Sequence, residues 1–157
     1  VSTEGLDGFI INEPGEYEIK GIYIKGIGCP DCAEKERTDY IYTIEAEEMK
    51  ICHLGNLKQK ELSSKQLSAI GEIDILMIPV GGDYVLDEKE AAEIINQIEP
   101  RIVIPMVYKT DLVKTKLEDV KVFLKEVGEA GKTPQDKLLI KKKDLDNTEG
   151  EVVVLQP

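Results

Sequence analysis

The spacing of apolar residues changes near the middle of the chain. In the first half it runs in short alternating stretches. Phe9-Ile10-Ile11-Asn12 reads as a strand that stops at the turn Glu13-Pro14-Gly15. Tyr17, Ile19, Ile22, Ile24 and Ile27 continue a β-rich stretch, and Gly21 marks a turn or bulge within it. Residues 26–38 read as a polar loop. Alternation returns in Tyr40-Ile41-Tyr42-Thr43-Ile44 and, after an acidic turn, over 49–54. Antiparallel hairpins connect such strands most economically.

The second half keeps a helical period between short apolar runs. Ser63 and Gln66 form a capping-box pattern at the start of one helix, and Asp87 and Glu90 form another. Ala91, Ile94, Ile95 and Ile98 then recur at i, i+3, i+4 and i+7, and Pro100 ends that helix. Thr115 and Glu118 predict the start of a third helix, with Leu117, Val120, Phe123, Leu124 and Val127 inward and Gly128 at its end. Residues 73–79 and 101–105 read as buried strands, and two more are expected near 138–140 and 152–155. Hairpins followed by strand–helix–strand units predict an α/β chain of α+β-like character. Its mixed β-sheet carries helices on one face. No Pro-, Gly- or Ser-rich linker divides it, so residues 1–157 are read as one domain.

Composition narrows the partners. The 157 residues are 41% hydrophobic and 32% charged, with a net charge of −11 and no Trp. An acidic surface repels phosphate backbones, and without Trp there is little to stack bases on, so nucleic acid is not an expected partner. Lys141-Lys142-Lys143 stands beside Asp144 and Asp146 and reads as the solvated end of a strand. No apolar run is long enough to span a membrane, so no membrane partner is expected. Three cysteines suit a reducing compartment, and a cytoplasmic location is the expectation. The first residue is Val, which suggests a processed or partial polypeptide.

Several motifs then fall in one order along nearly the whole chain. Asn12-Glu13-Pro14-Gly15-Glu16-Tyr17-Glu18 with Lys20-Gly21, Cys52-His53-Leu54-Gly55-Asn56-Leu57, and Ile78-Pro79-Val80-Gly81-Gly82 are three of them. Asn96-Gln97-Ile98-Glu99-Pro100 and Ile104-Pro105-Met106-Val107-Tyr108-Lys109 complete the set. Together they resemble the metallo-β-lactamase-like hydrolase superfamily, in its small bacterial branch that includes sugar-lactone hydrolases. The resemblance implies the C-terminal half of an αββα sandwich. It also implies a site for two zinc ions, which lower the pKa of a bridging water. By the same resemblance, ligands come from an HxHxDH loop, a later-loop histidine, the Asp of an HLGD motif and the His of PMHY.

The chain contains one histidine, so it has no HxHxDH. The bridging Asp is Asn56 here and the last histidine is Val107. An amide brings no negative charge to a pair of cations, and valine offers no lone pair. The expectation from the sequence is therefore a degenerate member without a cofactor, acting by binding or as a structural subunit. The alternatives are one part of a metal-dependent hydrolase acting on lactones or phosphoesters, and a zinc-stabilised or redox-responsive interaction module built on Cys29 and Cys32. His53, Gly81, Gly82, Tyr108 and Lys109 are the candidate pocket residues. Cys29, Cys32, Cys52 and His53 are a zinc alternative, opposed by the opposite directions of neighbouring side chains on a strand. Glu16 and Asp83 are an acid–base pair only if the fold brings them together. The amino-terminal, HxHxDH-bearing portion is expected to be absent. The half sandwich that remains predicts an apolar sheet face covered by a second copy, another chain or a missing part of the polypeptide.

Overall fold

The structure, a computed structural model, describes residues 8–28 and 40–156. Cys29 and Cys32, and any role for them, lie outside the described residues. Seven strands form one sheet: β1 (Gly15–Ile19), β2 (Ile22–Gly28), β3 (Tyr40–Ala46), β4 (Met49–His53), β5 (Ile75–Pro79), β6 (Ile102–Met106) and β7 (Glu151–Val152). Their order in space is their order in sequence. The first four are antiparallel, and β4 to β7 are parallel. Helices α1 (Ser64–Ile70), α2 (Glu88–Ile98) and α3 (Val120–Glu126) fill the connections, and Lys142–Leu145 forms a 3-10 turn.

Local chemistry explains most of these limits. Lys20 and Gly21, with φ of 53° and 80°, make the tight turn between β1 and β2. Both central residues of such a primed turn need positive φ. Both predicted capping boxes are formed, at Ser63/Gln66 and Asp87/Glu90. Five expectations are corrected. Gly26, Ile27 and Gly28 belong to β2 and not to a loop, because they pair with Tyr42, Ile41 and Tyr40 of β3. Residues 9–12 are not a strand, and Phe9 packs its ring 6.2 Å from that of Tyr17. Asp119, not Thr115, caps α3. The reason is that Glu118 is held in extended pairing, its N–H donating to Gly81 O and its carbonyl accepting from Lys109 N. Residues 138–140 form no strand; Leu138 and Ile140 lie across the sheet. Lys142 is not a solvated strand end, because it reaches the buried Asp74.

The two sides of the sheet differ. On one side Cys52, Leu76, Val103 and Val152 stand in register, and Ile70, Ala91, Ile94, Phe123 and Leu124 of the helices pack against them in the larger core. On the other side Tyr17, Ile24, Ile44, Ile51, Ile75 and Ile102 form a row running from β1 to β6. A second, smaller core joins Ile75, Ile102 and Ile104 to Leu145, Leu138 and Ile140 on that side.

The amino ends of the parallel strands are tied at one carboxylate. Asp74, with a side chain 7% exposed, accepts from Lys142 Nζ at 2.7 and 2.8 Å and from Lys50 N at 2.9 Å. Arg101 Nε lies 3.4 Å away. Burial works against ionising Asp74. The hydrogen bonds from Lys142 and the Lys50 amide, with the charges of Lys142 and Arg101, outweigh it and hold the carboxyl below its ordinary value. A cleft of about 490 Å³ opens beside these residues. Its buried carboxylate is fully engaged by groups of the fold, so its chemistry is structural.

Candidate functional site at the carboxyl ends of the parallel strands

In sheets with parallel strands, ligands bind beyond the carboxyl ends. Here the ends of β4, β5 and β6 lead into the turns 54–57, 80–83 and 107–109, which hold most of the sequence-predicted residues. Backbone hydrogen bonds fasten these turns. Leu54 N donates to Met77 O, Leu86 N to Leu57 O, and Val80 N to Met106 O, each at 3.0 Å. Lys58 Nζ donates to the carbonyls of Asp83 (2.8 Å) and Val85 (2.9 Å), bridging the first turn to the second. No local pattern in the sequence announced Lys58, because its acceptors are backbone atoms 25 and 27 residues away.

Gly81 is required by space. A Cβ there would lie inside the contact shell of the Val107 carbonyl oxygen and 3.1 Å from Leu117 Cδ2. Val107 itself has φ of 52°. A β-branched residue is strained in that left-handed region. The conformation is imposed by the pairings on either side, Val80 to Met106 and Lys109 to Glu118.

His53 is half-buried, and its Nδ1 accepts from Gly55 N at 3.0 Å. With Nδ1 accepting, the ring proton of the neutral form belongs on Nε2. Burial holds the imidazole pKa below its ordinary value. The neutral ring is therefore the folded form. Stability is complete above the unfolded value of about 6.5 and falls as the pH drops toward the lower folded value. His53→Asn keeps an acceptor near Nδ1 and removes the titration. Urea melts from pH 7.5 to 5 are expected to show a slope in the parent that is smaller in this variant.

The other predicted residues are placed as follows. Asn56 and Lys109 are exposed at the rim. Gly82 N donates to Leu86 O at 2.9 Å, so the double glycine is a closed turn and its second amide is engaged. Tyr108 OH donates to Leu155 O at 3.0 Å, so its hydroxyl serves the carboxyl-terminal segment. Burial and the Asp119 charge raise its pKa. Cys52 is fully buried on the helix side, with its thiol pushed by burial up to about 12. His53, next to it on β4, is in register with Tyr42 and Met77 on the other side. The fold therefore does not bring Cys52 and His53 to one metal. Glu16 pairs with Lys25 on the outer hairpin, four strands from Asp83, so these carboxylates do not meet. Among the described residues no group of three His, Cys, Asp or Glu side chains could hold a metal ion. Asn56 and Val107 add one neutral oxygen at most. The described residues taken alone do not fit a dinuclear metal site.

Residues 6–107 match the family model of the β-lactamase superfamily domain. The chain belongs to the β-lactamase superfamily. A superfamily relative from Thermoplasma acidophilum, named a metal-dependent hydrolase, is 32% identical over 136 residues, covering 82% of this chain and 58% of its own length. Another so named, from Thermococcus onnurineus, is 38% identical over 72 residues, 44% of this chain and 31% of that one. A crystal structure from Thermotoga maritima, described as a proposed Zn-dependent hydrolase of the metallo-β-lactamase superfamily, superposes with a TM-score of 0.73 at 35% identity. It covers 92% of this chain and 70% of that one. The mixed α/β sheet is therefore the superfamily fold. The chain spans roughly three-fifths or less of these curated relatives' length. No helix of the described residues is long and apolar enough to cross a membrane.

These relatives correct the expectation of a superfamily member without a cofactor: they are named for metal dependence. The physical reason for the error is that ligands of such a site come from several segments. Asn56 and Val107 account for two positions only, and a count of donors over part of the relatives' length does not measure the whole site.

Proposed function

We propose that this chain is part of a metal-dependent hydrolase of the metallo-β-lactamase superfamily, acting on a lactone or phosphoester. The observation that carries the reading is the junction at the carboxyl ends of β4, β5 and β6. Gly81 leaves room for the Val107 carbonyl, and Val107 is held at a φ of 52° that valine does not favour. The backbone there is shaped for presenting a residue into the site, whatever side chain occupies it. The relatives' names supply the reaction class. Since the described residues do not fit the metal by themselves, its donors come from outside them in this reading. A bound divalent ion would supply an activated water. The chain's own contribution is the scaffold: His53 fixes the turn before Asn56, and Lys58 locks that turn to the next.

The test is elemental analysis of the whole hydrolase to which this reading assigns the chain, followed by hydrolysis of a lactone and a phosphodiester with and without chelator. Bound zinc with chelator-sensitive turnover is the expected result. Turnover that a chelator leaves unchanged, or none after zinc is supplied, would sink the reading.

A further inference from the structure

Between β6 and α3 the chain makes a loop that is closed at its base. Lys109 N donates to Glu118 O and Glu118 N donates to Gly81 O, each at 2.9 Å. Leu117, 6% exposed, plugs the base, its Cδ2 3.1 Å from where a Cβ on Gly81 would lie. The loop therefore leaves the candidate site at the turn 107–109 and returns to it beside the turn 80–83. Val113 N donates to Thr110 O at 3.2 Å and reverses the chain near the tip. Leu112 stands three residues from Lys109, so its Cα lies within about 11 Å of that rim position. Compact surface loops whose ends meet on a rigid scaffold are where binding residues concentrate.

The side chains of this loop are unspent by the fold. Leu112 is 83% exposed and Val113, beside it, 39%. Lys109, Lys114 and Lys116 stand against one aspartate, Asp111, in a chain of net charge −11. None of the three ammonium groups has an ion-pair or hydrogen-bond partner among the described residues. Lys58, at the same site, is by contrast consumed by two carbonyls. We propose that this loop recognises the substrate and selects an anionic ester, a phosphoester carrying an apolar group, over an uncharged lactone. The inference rests on the hydrolase reading for the place of the reacting bond at these turns. Free ammonium groups attract an anion within a screening length of about 8–10 Å, whereas the acidic remainder of the chain repels it. Leu112 and Val113 offer an apolar group of the ligand a surface to bury against. A neutral lactone would engage that apolar surface and leave the lysines idle.

Calorimetric titration of the whole hydrolase, stripped of metal, tests it with two probes. One is bis(para-nitrophenyl) phosphate, an anion with aromatic rings; the other is an uncharged phenyl-substituted γ-lactone. Without metal, the affinity of zinc for an anion does not enter the reading. The phosphodiester is expected to bind more tightly. Lys114→Gln with Lys116→Gln should weaken it about tenfold and leave the lactone unmoved. Leu112→Ser should weaken both about fivefold. Lys143→Gln, an equal loss of charge beside the Asp74 edge, should change neither. Phosphodiester binding that ignores the loop lysines, or that responds as much to Lys143→Gln, overturns the proposal. So does equal binding of the two probes, or none. Loss of both probes with a lowered melting temperature in the lysine variant also overturns it, and makes the loop a contact with another part of the polypeptide. Lysine-dependent binding by a protein that, reloaded with zinc, turns over neither probe would sink the hydrolase reading and leave the loop's selectivity standing.

Discussion

Gly81→Ala is expected to cost about 3 kcal/mol, read by urea denaturation at pH 7. The new methyl group has nowhere to go. The nearest atom is the backbone oxygen of Val107, which cannot rotate aside as a side chain would. Val107 in turn is pinned between the Val80–Met106 and Lys109–Glu118 hydrogen bonds. Relief therefore requires moving a turn of the site or lengthening one of those bonds. Gly82→Ala makes a useful comparison. Its φ of 68° disfavours a side chain, but the nearest atom is 3.9 Å away, so about 1 kcal/mol is expected. A Gly81 cost no larger than that of Gly82 would show that the turns are not packed as described.

The second large effect belongs to the opposite edge. Asp74→Ala is expected to cost about 2–3 kcal/mol at pH 7. The substitution removes three accepted hydrogen bonds and leaves the Lys50 amide without its carboxylate. The loss is held below that of a fully buried pair because Lys142 and Arg101, 43% and 41% exposed, can turn to water. The carboxyl titrates below its unfolded value of about 3.9, so its contribution is complete above that value. It is lost as the pH falls through the lower folded value. Acid titration of both proteins should show their stabilities converging below about pH 4. A gap that persists into that range would place the contribution in packing and not in charge.

What could be read from the chain depended on how far apart the partners lie. The capping boxes join residues three apart, and Ser63/Gln66 and Asp87/Glu90 formed as their pattern required. The hairpin alternation of Tyr40 to Ile44 is equally local. The start of α3 lies later than the local pattern predicts, because Glu118 is committed to Gly81 and Lys109 across the fold, and that pairing outweighs a weak cap at Thr115. Leu138 and Ile140 have the alternation of a strand but lie across the second core as a cover, with Leu139 80% exposed between them. The pairing of Lys142 with Asp74 spans 68 residues, and nothing near either residue signals it. The candidate site was legible as motifs at strand ends. The clamp from Lys58 and the closed hydroxyl of Tyr108 depend on distant carbonyls and were not.

The agreement between strand order in space and strand order in sequence bears on how the molecule is made. Each strand as far as β6 pairs with the one just synthesised, so no strand emerging from the ribosome waits for a distant partner, and the entropy lost at each closure stays small. The connection from β6 to β7 is the exception. It must first lay down α3 and the segment that crosses the sheet. The parallel edge and the lysine that reaches Asp74 thus depend on the longest closure between neighbouring strands of the described sheet.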